Sequence, residues 1–107
     1  MLKPCHRSFV DGTSLQGTIR ATYEHLVAAF GEPREGSPDG KTDAEWCLSD
    51  GSLVATVYNW KNGQAWCGPD APKVEDITEW NVGGKGFGAV QAVVKALGEV
   101  RTPSGRY

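Results

Sequence analysis

Ala44-Glu45-Trp46-Cys47-Leu48-Ser49-Asp50-Gly51-Ser52-Leu53-Val54-Ala55-Thr56-Val57-Tyr58-Asn59-Trp60 is the stretch from which the rest of the chain can be read. Ala44, Trp46 and Leu48 alternate with Glu45, Cys47 and Ser49, the two-residue period of a strand with one buried face. Asp50-Gly51 is a hairpin signal because both positions tolerate positive φ, and Ser52 to Trp60 is then the return strand. A two-residue turn sets Leu48 opposite Leu53, Trp46 opposite Ala55 and Ala44 opposite Val57, all on the core face. Glu45 then opposes Thr56, and Cys47 opposes Val54, on the other face. Tyr58 and Trp60 also fall on that other face.

Upstream, Leu15, Ile19 and Ala21 alternate with polar positions and predict a strand over 13–21. Thr22 is suited to cap a helix over 22–30, because its hydroxyl can accept a free backbone N–H. Tyr23, Leu26, Val27 and Phe30 form its apolar stripe, and Gly31 and Pro33 end it. Residues 31–42 read as an exposed loop with nothing to mark a site. Downstream, 64–75 is a long loop and Ile77 to Val82 a third sheet strand, with Trp80 and Val82 on one face. Gly83-Gly84-Lys85-Gly86 turns the chain into a last helix. Phe87, Val90, Val94 and Leu97, widened by Val93, form its stripe, and Gly98 stops it. The order β-α-β-β-β-α predicts an α+β, two-layer sandwich: a mostly antiparallel sheet with two amphipathic helices on one face. A length of 107 residues suits a single domain, with an N-terminal arm at 1–11 and a polar tail at 101–107.

Eleven basic against thirteen acidic side chains give a net charge of −2, which argues against duplex nucleic acid as a partner. No run approaches the ~18 apolar residues of a membrane span. The first residues lack the apolar run of a signal peptide, so a cytoplasmic location is expected. Cys5, Cys47 and Cys67 are odd in number and widely spaced, which predicts free thiols rather than a disulfide framework. No local ligand pair points to a metal, and no cofactor is expected. Neither His6 nor His25 pairs with a nucleophile by spacing, so no enzyme is predicted.

Two features could bind. Gly83, Gly84, Lys85 and Gly86 lie between a strand and a helix, where backbone N–H groups can converge on an anion; the same residues also serve as a plain turn. Tyr58 and Trp60 form an aromatic pair on the face away from the core, either a stacking platform for a base or a contact for covering chain. Trp66, in a loop beside Gly and Pro, must tuck back onto the body or meet a partner protein.

The strings GTSLQGTIRATYEHLVAAFGEP (12–33), DAEWCLSDGSLVATVYNWKNG (43–63) and ITEWNVGGKG (77–86) resemble, in that order, the blocks of a group of small bacteriophage proteins. The resemblance covers roughly half the chain. It implies a phage anti-defence role, of which two kinds are relevant. One is similar to the Thoeris anti-defence sponges, which sequester a cyclic ADP-ribose-type signal. The other is similar to the anti-CRISPR proteins, which block a Cas protein by surface contact. The resemblance assigns no ligand-binding residue to a numbered position. A phosphate- and adenine-bearing signal would need cations or N–H donors and an aromatic face. The candidates are Arg20, Lys61, Lys85, the 83–86 backbone, Tyr58 and Trp60. A domain this small does not readily enclose such a ligand alone, so a homo-oligomer with an interface site is expected. A protein-binding inhibitor would instead use Trp66, Tyr58 and Trp60, and a phage assembly accessory is a third reading.

Overall fold

A computed structural model describes residues 2–10, 12–86 and 88–100. Among them, six strands and three helices follow in the order β1 (Lys3–Pro4), β2 (Ser14–Arg20), α1 (Tyr23–Phe30), β3 (Arg34–Glu35), β4 (Ala44–Ser49), β5 (Val54–Tyr58), α2 (Gln64–Cys67), β6 (Glu79–Gly84) and α3 (Gly88–Gly98), with 3-10 turns at Arg7–Val10 and Val74–Asp76. The sheet runs β1-β4-β5-β6-β2, and β3 shares the outer edge of β4 with β1. Every pairing is antiparallel. The result is the α+β class expected, with α1 and α3 on one face and neither of them on the other, which carries the 3-10 turn Arg7–Val10.

Trp46 and Trp80 meet edge to face at the centre of the core, ring centroids 5.4 Å apart, and Tyr23 of α1 packs on both. Each indole N–H is paired: Trp46 Nε1 donates to Gly31 O at 2.8 Å and Trp80 Nε1 to Ala21 O at 3.0 Å. Buried indoles keep such partners because an unpaired N–H inside a core is costly. The two bonds also fix where the chain enters and leaves α1. Thr22 caps that helix, its hydroxyl accepting from His25 N at 3.0 Å, and Gly31 closes it at φ 82°. His25 joins α1 to the end of α3. It is half-buried, with Nε2 2.8 Å from the carbonyl oxygens of both Leu97 and Val100 at the end of α3.

The β4–β5 register differs from the expected one by two residues. Leu48 pairs with Ala55, Trp46 with Val57, Cys47 with Thr56, and Glu45 with Tyr58. Asp50-Gly51 is not a two-residue turn. The Asp50 carboxylate accepts from the N–H groups of Leu53 (2.7 Å) and Ser52 (2.9 Å), and Asp50 N donates to Leu53 O at 3.2 Å, so 50–53 forms one loop. Those two N–H donors, Leu53 first, hold the Asp50 carboxyl below its ordinary range. A slip of two keeps every side chain on its expected face.

Other expectations are corrected. Gly83 and Gly84 belong to β6 rather than to a turn, because each is needed for close approach. A Cβ on Gly83 would collide with Thr56 Oγ1, and one on Gly84 with the Ala89 Cβ of α3. Leu15 is 58% exposed, because a bulge between Leu15 and Gly17 turns it to the face away from α1 and α3, opposite Gly83. In α3 the buried stripe is Ala89, Val93 and Leu97, with Val90 half-buried, while Val94 is exposed. Small Ala89 sits where the helix crosses Gly84, which sets the rotation of α3. Phe87 and the 101–107 tail lie outside the described residues. The loop expected over 64–75 contains α2 and a 3-10 turn, and the third sheet strand starts at Glu79 rather than Ile77.

Gly84→Ala is expected to lift α3 and cost about 1–3 kcal/mol, the usual penalty for overpacking. Gly98→Ala, with open space around its Cβ, should instead stabilise by about 0.5 kcal/mol. Urea denaturation of the two variants reads the opposite signs.

Candidate functional site

On the face away from α1 and α3 the floor is made by alternate residues of adjacent strands: Thr56 and Tyr58 of β5, Glu45 of β4 and Gly83 of β6. Two segments outside the main strands rise beside it. The 3-10 turn Arg7–Val10 packs against β4 and β5, and the loop 37–42 stands nearby. Between them is an open groove of about 420 Å³, with Trp60 among its lining residues. Arg7, Ser14, Asp39, Lys41 and Thr42 are among its other polar lining residues. The absence of a side chain at Gly83 leaves the floor flat where Thr56 and the Tyr58 ring lie beside it.

The aromatic end is built with cations on it. Tyr58 and Trp60 stand nearly perpendicular, centroids 6.2 Å apart. Lys41 Nζ lies 5.7 Å and Lys61 Nζ 5.5 Å from the Trp60 ring centroid, and Lys61 Nζ is also 4.9 Å from that of Trp66. Trp60 is 46% exposed and Trp66 48%. Lysine and tryptophan attract through the ring quadrupole, and the array presents both aromatic surface and positive charge to solvent. Lys41 also pairs with Asp39 at 3.4 Å. The Ser37 hydroxyl and the Lys41 N–H donate to Asp39, and together they keep that carboxyl below its ordinary range.

A polar hub behind the array holds it in place. Asn59, with no exposed surface, accepts on Oδ1 from Asp43 N (2.7 Å) and Ala44 N (3.1 Å). Its Nδ2 donates to Asp43 Oδ1 (2.8 Å) and Asn62 Oδ1 (3.0 Å). Asp43 Oδ2 accepts from Ala65 N at 3.2 Å, and Lys61 N donates to Lys41 O at 2.7 Å. Lys61 itself takes a left-handed φ of 56°, and Gly63 leaves room where a Cβ would strike the Asp43 carboxylate. Loop 37–43 and loop 61–65 are therefore tied to one buried side chain.

Within the groove, Glu45 accepts from the Thr42 hydroxyl at 3.1 Å. Burial raises the Tyr58 phenol above its ordinary value, and the nearby Glu45 charge raises it further, while a hydrogen bond with Asn81 opposes them. The folded state thus favours the neutral phenol. Its contribution to stability is present below the ordinary phenol range and is lost as pH rises through the raised value.

The expected site residues divide between places. Tyr58, Trp60 and Gly83 line the groove, and Lys61 stacks beyond Trp60. Gly84 faces α3. Lys85 and Gly86 border a second hollow of about 260 Å³ with Leu53 and Gly88, although the Lys85 stem also reaches Gly12 on the groove rim. Arg20 lies at the far end of β2 opposite Glu79, six residues from Ser14, about 20 Å along an extended strand. Trp66 joins the lysine–tryptophan array through Lys61. Loop 31–42, expected to mark no site, supplies Ser37, Lys41 and Thr42 to the groove. Asn59 was also unforeseen, although a polar residue at the core-facing position that follows β5 is itself a signal.

Among the described residues no group of three His, Cys, Asp or Glu could hold a metal ion, and no helix is long and apolar enough to cross a membrane. Cys47 is a free, buried thiol in β4, while Cys67 is free and exposed on α2 with its thiol donating to Lys61 O at 3.1 Å. No protein-family model matches the chain, and no curated protein matches it.

Glu45→Gln is expected to bring the Tyr58 titration down towards the ordinary phenol value while leaving that of Tyr23 unchanged, because Tyr23 responds to its own burial, Glu32 and Glu75. Ultraviolet titration of tyrosinate in a Tyr23→Phe, Tyr107→Phe background isolates Tyr58, and a Tyr58→Phe, Tyr107→Phe background isolates Tyr23.

Proposed function

We propose that this protein is a non-enzymatic phage anti-defence binding protein that captures a nucleotide-derived signal, of the cyclic ADP-ribose or cyclic nucleotide type, in the groove on the face away from α1 and α3. The observation that carries the reading is the convergence of Tyr58, Trp60, Arg7 and Lys41 on one opening of about 420 Å³, a volume in the range of small-ligand sites. An adenine ring stacks on an aromatic side chain for about 1–3 kcal/mol, and Trp60 offers such a face. Arg7 and Lys41 supply positive charge for phosphate. Glu45, with one oxygen on Thr42, has acceptor capacity left for ribose hydroxyls. The three-block resemblance supplies the biological setting. A second copy laid over the open side would complete the enclosure, in keeping with a homo-oligomer, and mass in solution measures that directly.

A second reading is kept because Trp60 and Trp66 are both about half exposed on either side of Lys61. Such a ridge has the residue types that anchor protein–protein contacts and suits an inhibitor that blocks a Cas protein.

Purified protein is mixed with signal from cells whose Thoeris system is activated, washed, and heated to release what it holds. Recovery of unchanged signal is the expected result. A cleaved product would mean an enzyme, and no uptake would favour the protein-target reading. Trp60→Ala should weaken capture about tenfold, the equivalent of about 1.4 kcal/mol of lost stacking, and Lys41→Ala should weaken it in the same direction. Full capture by both variants would place the ligand elsewhere.

A further inference from the structure

We propose that Cys5 and Cys47 form an oxidisable cross-strand thiol pair, a modification site that a small-molecule disulfide converts to an internal disulfide pinning the N-terminal arm to β4. The register places them. Lys3 pairs with Ser49 and Pro4 with Leu48, and the next step sets Cys5 against Cys47, with Cys5 N donating to Cys47 O at 2.8 Å. Directly opposed residues of a hydrogen-bonded antiparallel pair stand about 5.5 Å apart at Cα and point to the same side. A disulfide spans roughly 4.4–6.8 Å between Cα atoms, so closure needs side-chain rotation and no shift of register. Both thiols are free, Cys5 half-buried and Cys47 buried.

Access orders the chemistry. The Cys5 thiolate attacks the small disulfide, forming a mixed disulfide on Cys5 and releasing one small thiol. The Cys47 thiolate then attacks the Cys5 sulfur of that mixed disulfide and expels the second small thiol. The two cysteine sulfurs are oxidised by two electrons, the small disulfide is reduced by two, and the two cysteine protons leave on the two released thiols. Burial raises both cysteine thiols above the ordinary value, which slows attack near neutral pH, while the Arg34 charge and, less strongly, that of Arg7 act on Cys47 in the opposite sense. The consequence is local. Arg7 follows Cys5 by two residues, and the Arg7–Val10 turn is one wall of the groove. A link at Cys5 fixes that wall, and its formation does not depend on what the groove binds.

The test uses the full chain carrying Cys67→Ser, incubated at low protein concentration with excess oxidised glutathione at mildly alkaline pH, acid-quenched and analysed by intact mass and peptide mapping. The expected product is a monomer lighter by about 2 Da, two hydrogens lost, with the peptides of Cys5 and Cys47 joined. On the same background Cys47→Ser should stop at a glutathione adduct on Cys5. Hydrogen exchange at residues 6–10 should slow in the linked protein. Cys67 of the unsubstituted chain is the internal control for oxidant strength. If Cys67 takes up glutathione while Cys5 and Cys47 both stay free, or if Cys5 holds glutathione without resolution by Cys47, the proposal is overturned.

Discussion

A carboxamide with no exposed surface has to satisfy both of its ends inside the protein, and the arrangement of the site follows from how Asn59 does so. Its oxygen takes the backbone N–H groups that open β4, and its nitrogen holds Asp43 and Asn62. An unpaired buried polar group costs about 1–3 kcal/mol, so these partners are not exchangeable for water without loss. The hub joins two connections far apart in sequence, 37–43 and 61–65. Lys41, Trp60, Lys61 and Trp66 are held as one array because their backbones radiate from it.

The two faces of the sheet are specialised by the same rule applied with different residues. On the helix side, Gly84 and Gly17 let α3 approach, and Trp46 and Trp80 fill the interior with their N–H groups paired. On the other side, Gly83 removes a side chain from the floor, and polar residues alternate with Tyr58. A sheet covered on one face only has to present something on the other. Here that face carries aromatic surface and cations at one end and is walled by the arm at Arg7–Val10. The groove is thus a product of strand alternation together with two connections folded over it.

Strand alternation was the legible part of the sequence. Ala44, Trp46, Leu48, Ala55 and Val57 are buried on one face as the two-residue period requires, and Thr22 and Gly31 end α1 as their chemistry predicts. What alternation cannot see is the count of residues in a turn. Asp50 accepts from two N–H groups rather than serving in a two-residue turn, and the pairing moved by two while the faces stayed. The bulge at Gln16 was hidden for a related reason, since one extra residue leaves the local pattern of Leu15 and Ile19 intact. Gly83 and Gly84 misled because a glycine required by a neighbouring side chain is spelled the same way as a glycine required by a turn. Of the site, Tyr58 and Trp60 were legible from their position on the polar face. Lys41, Arg7 and Thr42 were not, because long-range folding of the arm and the 37–42 loop places them there.

Tyr58 and Trp60, rather than the hollow at Lys85–Gly88, are the proposed points of ligand contact. Amide and indole chemical shifts of the labelled protein, followed during titration with ADP-ribose, test this most directly. Shifts concentrated at Lys41, Tyr58, Gly83 and the Trp60 indole are the predicted outcome. Shifts confined to residues 52–54 and 85–89, or none at saturating ligand, would contradict it.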